Sequence, residues 1–218
     1  MPHTYAAGDY TLGVYSDGVY RPYFNNVTAD ASQITSVVIG PGANLGTDIT
    51  NAWYGASNMT SFACPFDATS GVTSFTKSWF ICEKLTSFPQ IDTSSGTNFY
   101  LAWYNCNQIT SFPLLDMSSA TILTGAWVYC SQLATFPAHM FDTTGALASN
   151  AFNEAFFFCA LTAQSIENIL VSLDTNGATG ITLSIDGGTN AAKTTWSAAA
   201  VTAYDNLIVK GWTISFNA

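Results

Sequence analysis

The sequence predicts an α/β solenoid, a right-handed coil of stacked repeats with short parallel strands. Two observations predict it. Five copies of one motif follow each other through the middle of the chain, and the flanking segments have a different pattern. The chain then divides into an N-terminal β-hairpin cap (1–33), five repeats (34–160) and a C-terminal α/β capping subdomain (161–218). Each repeat buries its apolar face only against its neighbours, so no single copy would fold alone.

The motif is a small residue followed by an aromatic residue and, in the last four of the five copies, a cysteine three positions after the aromatic residue. The copies read AWYGA (52–56), SWFIC (78–82), AWYNC (102–106), AWVYC (126–130) and AFFFC (155–159). Their aromatic residues are Trp53, Trp79, Trp103, Trp127 and Phe156. The resulting period lies within the range of about 20–29 residues typical of leucine-rich repeats.

A second set of segments alternates with the motif and predicts short strands. They read ITSVV (34–38), MTSFA (59–63), LTSFP (85–89), ITSFP (109–113) and LATFP (133–137). Their β-branched and aromatic residues favour a strand that pairs in parallel with its counterpart one repeat away. Pro89, Pro113 and Pro137 lack an N–H, so the chain should turn there. The apolar stretch FYLAWYNC (99–106) is predicted to cross the coil as a helical turn or 3₁₀ segment.

Stacking at about 4.8 Å predicts rows of equivalent side chains. The rows are Phe62, Phe88, Phe112 and Phe136; Trp53, Trp79, Trp103, Trp127 and Phe156; and Cys82, Cys106, Cys130 and Cys159. A straight row of sulfurs cannot surround one Zn²⁺, and His3 and His139 lie at unrelated repeat positions. We therefore interpret the cysteines as small buried side chains, with a metal site or redox pair as the alternative.

The two ends predict caps, because a terminal coil would otherwise expose apolar surface and strand edges. The N-terminal segment 10–24 alternates around Asp17-Gly18 and predicts a hairpin. The C-terminal segment predicts a helix that begins at Thr162 or Ser165 and ends at Asn176-Gly177. It continues with a strand (181–186), a second helix (194–211) and a last strand (212–216).

Composition excludes several classes of partner. Only 9% of the 218 residues are charged, and the net charge of −9 repels phosphate backbones, so nucleic acid is not expected. No apolar stretch reaches the roughly 18 residues needed to span a bilayer, and the N-terminus has no export signal. Five cysteines without a CxxC pair do not indicate a secreted disulfide framework. These features predict synthesis in the cytoplasm without membrane insertion.

The pattern C-x-x-L-T-S-F-P, D-x-S-S, A-W-x-x-C over about residues 34–160 resembles the BspA-like leucine-rich repeats. That family occurs in surface proteins and adhesins of bacteria and protists, and in some virus and phage proteins. The two central copies are shorter between strand and Asp than is usual in the family. The first copy lacks both the Asp and the Cys.

The C-terminal segment 161–218, with GGTNAA (187–192) and GWT (211–213), resembles the endings of repeat proteins encoded by phages and bacteria. Together with the missing export signal, this implies a virion component such as a tail fibre or head decoration. A bacterial cell-surface adhesin is the alternative.

No catalytic, metal-binding or cofactor-binding residue is predicted. Asp67, Asp92, Asp116 and Asp142 recur once per repeat and could mimic the paired carboxylates of a glycosidase. A catalytic pair needs two different environments, whereas a repeated row gives each member nearly the same one. Turn chemistry explains the whole row, because an Asp side chain accepts nearby backbone N–H groups. A carbohydrate-active enzyme and calcium binding along this row are the weaker readings.

The candidate binding face consists of the hydroxyl residues on the outer side of the strands, together with the longest break in the repeat at 138–152. Its residues are Thr86, Ser87, Thr110, Ser111, Thr135 and His139, and Thr60 and Ser61 begin the same rows. A plain solvated β face is the alternative. We expect a non-enzymatic virion or surface protein for host attachment or particle architecture. Its expected partners are other virion proteins, a second copy of itself, or a host-surface glycan or protein.

Overall fold

The computed structural model describes residues 8–11 and 31–218. The strands are β1 (Gly8–Thr11), β2 (Ile34–Val38), β3 (Ser61–Ala63), β4 (Thr182–Ile185) and β5 (Thr213–Phe216), and the α-helices are α1 (Ala163–Asn176) and α2 (Ala198–Val209). Short 3₁₀ turns span Phe66–Thr69 and Lys193–Thr195. The hairpin predicted at 10–24 falls outside the described residues, except for Tyr10 and Thr11 in β1.

Successive segments of the repeat region lie side by side in parallel. We call them layers 1 to 5, with the ranges 34–58, 59–84, 85–108, 109–132 and 133–160. β1, β2 and β3 form one parallel sheet in that order. Beyond β3, isolated parallel bridges join Ser111 to Thr135 and form a second row through Asp48, Ser74, Asn98 and Ile122. Equivalent positions of adjacent layers are therefore neighbours in space.

Regular strands are confined to the first two layers of the repeat region. The segments 85–89, 109–113 and 133–137 make isolated bridges or single backbone hydrogen bonds, although strands were predicted there. Pro89, Pro113 and Pro137 each end a segment and have no N–H to donate. The ladder therefore reduces to a single bridge among these three segments, from Ser111 to Thr135.

The aromatic motif forms neither a helix nor a strand but a series of turns. Around Trp103, the N–H groups of Ala102, Tyr104 and Cys106 each donate to the carbonyl three residues earlier. The alternate N–H groups point out of the layer, and that of Trp103 donates to the Ala126 carbonyl in layer 4 at 2.9 Å. Leu101 and Asn105 have positive φ angles of 52° and 58°, and these left-handed residues prevent a continuous helix.

Two columns of rings run side by side through the interior, and the ring planes of one are nearly perpendicular to those of the other. Neighbouring tryptophans from Trp53 to Trp127 stack with centroids 5.3–5.7 Å apart, and Phe156 continues that column at 5.0 Å. Phe62, Phe88, Phe112 and Phe136 form the second column, with centroids 5.5–6.0 Å apart. Perpendicular contacts such as Trp79 with Phe88, at 4.7 Å and 82°, join the columns. Edge-to-face aromatic pairs are favourable beyond the area they bury.

The tryptophan column carries a cost. The indole N–H groups of Trp53, Trp79, Trp103 and Trp127 are buried and have no hydrogen-bond partner among the described residues. An unpaired buried donor costs about 1–3 kcal/mol. This column therefore requires large apolar rings, and the indole nitrogen adds nothing to the stability of the fold.

We expect Trp103→Phe to change the free energy of unfolding by less than about 1.5 kcal/mol. The smaller ring loses contacts, but the substitution also removes an unpaired donor, and Phe156 already occupies the equivalent position in layer 5. Urea unfolding monitored by circular dichroism measures the change. Trp103→Ala is the matched comparison, and we expect it to lower the free energy of unfolding by about 3–5 kcal/mol. Equal losses in the two variants would contradict this account of the column.

Helix α1 closes the strand side of layer 5 with polar side chains. Thr162 caps its N-terminus by accepting from the Ser165 N–H, and Gly177 ends the helix with a φ of 80°. Side chains on one helix face bond the backbone of 134–144: Ser165 to Ala134 and Phe136, Asn168 to Phe136, Ser172 to Phe141, and Asn176 to Thr144. The helix thus satisfies backbone groups that a further strand would otherwise pair.

Strands β4 and β5 continue the stack on the side of the aromatic motif. Leu183 in β4 bridges Phe152 in layer 5, and β4 pairs in parallel with β5. Helix α2 packs on α1, and Lys210 Nζ donates to Asp174 Oδ1 at 2.6 Å. This terminal unit therefore adds two helix–strand layers to the end of the repeat region.

Candidate functional site

The hydroxyl residues of the candidate face lie between buried side chains of the strand segments. In layer 3, Thr86 and Ser87 are exposed, whereas Leu85 and Phe88 on either side are buried. Thr110, Ser111 and Thr135 are likewise exposed. In layers 1 to 4, two polar residues thus lie between two buried apolar residues, whereas layer 5 has Ala134 and Thr135 at the two outer positions.

Part of this face is already fixed by bonds between layers. Thr60 Oγ1 donates to the Thr35 carbonyl at 3.1 Å, and Thr86 Oγ1 donates to the Thr60 carbonyl at 3.3 Å. These two hydroxyls keep their lone pairs for an acceptor role. Within the described part of the chain, the hydroxyls of Ser87, Thr110, Ser111 and Thr135 have no partner and are open to a ligand.

The structure places His139 in a different setting from the hydroxyl rows. Its side chain is 75% exposed, and its Nδ1 lies 2.8 Å from Asp142 Oδ2. The other carboxylate oxygen of Asp142 accepts from Ser172 Oγ at 2.5 Å. Asp142 thus lies between the histidine and the serine, and the serine hydroxyl does not contact the imidazole. This arrangement orients the ring of His139 in the longest break of the repeat.

A depression of about 440 Å³ opens at the corner between the cysteine row and the hydroxyl face. Glu83, Lys84, Thr86, Asn107 and Gln108 line it. Only Thr86 among them belongs to the face that the sequence predicts. The sequence contains a signal for the others, because the two residues after the motif are polar in layers 1 to 4: Ser57-Asn58, Glu83-Lys84, Asn107-Gln108 and Ser131-Gln132.

A second surface row, missed from the sequence, consists of the aromatic residues that follow Trp53, Trp79 and Trp103. The half-buried rings of Tyr54, Phe80 and Tyr104 stack with centroids 4.7 and 4.5 Å apart. Tyr129 and Phe158 extend the aromatic surface and are 38% and 42% exposed. Because the stacked rings cover one another's faces, this row presents mainly ring edges to solvent.

Two aspartates of the predicted row serve the turns of the layers. Asp92 Oδ1 accepts from the Ser94 N–H at 3.0 Å, and Asp116 Oδ1 accepts from the Ser118 N–H at 2.9 Å. Among residues 8–11 and 31–218, no three His, Cys, Asp or Glu side chains form a group that could hold a metal ion. Asp92 and Asp116 thus form Asx turns, whereas the Asp142 carboxylate of the same predicted row contacts His139 and Ser172 instead.

The cysteine row lies in the interior and bonds from layer to layer. The thiols of Cys82, Cys106, Cys130 and Cys159 each donate to the carbonyl of the tryptophan one layer earlier, at 3.1–3.4 Å. Burial is the largest cause that raises the pKa of Cys106, Cys130 and Cys159 well above the ordinary value. These thiols are therefore neutral donors in the folded chain and poor nucleophiles.

The raised thiol pKa values predict a loss of stability at alkaline pH. In the unfolded chain the thiols ionise near their ordinary pKa of 9.0, whereas burial keeps them neutral in the fold. The contribution of these neutral thiols to the free energy of unfolding is complete below about pH 9. It is lost as the pH rises further, because the thiols of the unfolded chain release their protons at lower pH than those of the folded chain. Urea unfolding at pH 7.5 and pH 10.5 measures the loss. The Cys106→Ala/Cys130→Ala variant should show a smaller loss, and an equal loss in both proteins would contradict the assignment.

Comparison with protein-family models, with curated proteins and with solved structures gives no match. In the described ranges, neither α-helix is long and apolar enough to cross a membrane.

Proposed function

We propose that the chain is an α/β solenoid of the leucine-rich-repeat type, similar to the BspA-like repeats, and that it is a non-enzymatic recognition module of a virion. The bonds between residues one repeat apart and the stacked ring columns support the solenoid. The resemblance of the repeats and of the C-terminal segment supports the virion assignment. A bacterial cell-surface adhesin is the alternative setting for the same recognition face.

The observation that carries the recognition role is the hydroxyl face. Exposed Ser87, Thr110, Ser111 and Thr135 repeat on a fully packed interior and have no partner among the described residues. A rigid scaffold that holds short hydroxyl groups at a fixed spacing loses little conformational entropy on binding. Solenoid faces are commonly used for recognition because they are extended and regular.

The low charge favours a neutral partner over nucleic acid. The whole chain has 5 Lys and Arg against 14 Asp and Glu residues. The described aspartates of the central layers accept backbone N–H groups in turns. Hydroxyls and amides remain as the main polar groups that the face offers, and these suit a partner rich in hydroxyl or amide groups.

One observation favours particle architecture as a second candidate function. Val209 is 88% exposed and Ile208 41% exposed at the end of α2, in the terminal unit of the stack. Exposed aliphatic side chains in such a position can mediate association with another virion protein or with a second copy. This role predicts a defined homo-oligomer or lattice contact and does not require the hydroxyl face.

Adsorption to a panel of bacterial cells with different surface polysaccharides tests the recognition role. We expect the purified protein to bind a subset of the panel, and Thr110→Lys/Ser111→Lys to abolish that binding. Thr175→Lys, at an exposed position of α1, is the control and should bind like the wild type. Sedimentation velocity on the same proteins tests the second candidate. A homo-oligomer that dissociates on Val209→Asp, without any adsorption to cells, would overturn recognition in favour of architecture.

A further inference from the structure

We infer that the depression lined by Glu83, Lys84, Thr86, Asn107 and Gln108 binds a neutral sugar unit of a surface glycan. This inference rests on the proposed recognition function and names the ligand class of the same surface. The depression includes Thr86 of the hydroxyl face, so a glycan chain lying on that face could place one unit in it.

The charged residues of the depression are held in place by the layers on either side. Asn105 Nδ2 donates to Glu83 Oε1 at 3.0 Å. Lys84 Nζ donates to Asn58 Oδ1 at 2.7 Å, which ties it to layer 1. Each charge thus has a neutral amide partner and keeps further hydrogen-bonding capacity. Preorganised polar groups of this kind lose little side-chain entropy when a ligand binds.

The mixture of donors and acceptors matches a polyhydroxyl ligand. Glu83 accepts, Lys84 donates, and the amides of Asn107 and Gln108 do both. The Asn107 and Gln108 side chains have no hydrogen-bond partner in the part of the chain that the structure describes. A sugar hydroxyl also donates and accepts at once, so neighbouring hydroxyls can engage an amide and a charged group together.

The charges around the depression disfavour two classes of competing ligand. The Glu83 carboxylate and the net charge of −9 disfavour a sulfated, phosphorylated or sialylated ligand, and the Lys84 ammonium disfavours a cationic one. The volume of about 440 Å³ is in the range of small-molecule sites and suits one or two sugar rings.

A glycan array with neutral, sialylated and sulfated oligosaccharides tests this inference, followed by titration calorimetry on the best neutral oligosaccharide. We expect the wild type to bind neutral glycans and Asn107→Ala/Gln108→Ala to bind them about tenfold more weakly, because two polar partners are removed. Gln132→Ala is the matched control. Gln132 is exposed at the position equivalent to Gln108 one layer further on, and it does not line the depression. Thermal melts should show that all variants fold like the wild type.

The outcomes separate this inference from the proposed function. Neutral-glycan binding that falls in the double variant and persists in Gln132→Ala supports the depression as the site. Equal binding by the wild type and the double variant overturns the site, while recognition through the hydroxyl face stands. Preference for anionic glycans, or adsorption to cells through a protein with no glycan bound, overturns the ligand class. No binding to glycans or cells overturns both.

Discussion

Replacing Phe112 by alanine is expected to lower the free energy of unfolding by about 3–5 kcal/mol. Phe112 is 5% exposed, and its ring stacks on Phe88 at 5.5 Å and on Phe136 at 5.9 Å. It also meets Trp103 at 4.9 Å and Trp127 at 5.4 Å, both nearly perpendicular. One truncation therefore removes ring contacts in three adjacent layers. Because each layer is stabilised by its neighbours, the whole repeat region should unfold at lower denaturant.

Leu114→Ala provides the matched control for Phe112. Leu114 lies two residues further along the same layer and is 48% exposed, so its truncation should cost less than about 1 kcal/mol. Urea unfolding monitored by tryptophan fluorescence compares the two variants. An unchanged midpoint for Phe112→Ala would mean that the phenylalanine column is not interior.

Gly188→Ala is expected to cost about 3 kcal/mol or more in the free energy of unfolding. Gly188 has a φ of +55°, and an added Cβ would lie 2.4 Å from the Cys159 carbonyl oxygen and 2.8 Å from the Phe158 carbonyl carbon. Both contacts are with backbone atoms of layer 5, which cannot move aside as a side chain can. The substitution should therefore separate the segment after β4 from the last repeat.

Gly177→Ala separates conformational strain from this steric clash. Gly177 has a φ of +80°, but nothing lies within 4 Å of an added Cβ. We expect only the strain of a left-handed alanine, about 1–2 kcal/mol. Comparable losses for the two variants in thermal or urea unfolding would contradict the close contact at Gly188.

The spacing of the repeats in the sequence predicts most of the side-chain neighbours in the interior. Phe88 and Phe112 occupy the same position in adjacent copies, and the structure places their rings 5.5 Å apart. The helix of the C-terminal segment could also be located, because Thr162 and Asn176-Gly177 have capping chemistry and the apolar residues between them are periodic.

The backbone of the aromatic motif could not be predicted from propensities. Leu101 and Tyr129 have positive φ angles, which non-glycine residues rarely adopt. Hydrogen bonds to adjacent layers, such as Leu101 N–H to the Thr124 carbonyl at 3.1 Å, compensate for that local cost. A tertiary contact overrides the local preference, so the sequence predicts a helical turn or 3₁₀ segment where the structure has a series of turns, each closed by a bond to the carbonyl three residues earlier.

The depression was missed because its residues look like ordinary polar loop residues. Glu83 and Lys84 lie in one copy, and Asn107 and Gln108 lie in the next. The depression that these four residues line together depends on how far each layer projects into solvent at this point of the surface. The period predicts which residues are neighbours, but not the depth of the surface between them.

Engineered disulfide formation tests the central claim, that successive copies of the repeat stack in register, most directly. Ser111 and Thr135 are exposed and form a parallel bridge between layers 4 and 5. Ladder neighbours about 4.8 Å apart lie within the Cα separation of about 4.4–6.8 Å that a disulfide requires. The background carries Cys64→Ala, because Cys64 is only half-buried.

Mild oxidation followed by peptide mass spectrometry should show a complete cross-link in the Ser111→Cys/Thr135→Cys variant. The Ser111→Cys/Gln132→Cys variant should stay reduced, because its second position lies three residues, at most about 10 Å of chain, out of the register. Stacked layers predict this difference between the two variants. A cross-link at the offset pair, or accessible and unlinked thiols at the in-register pair, would contradict them.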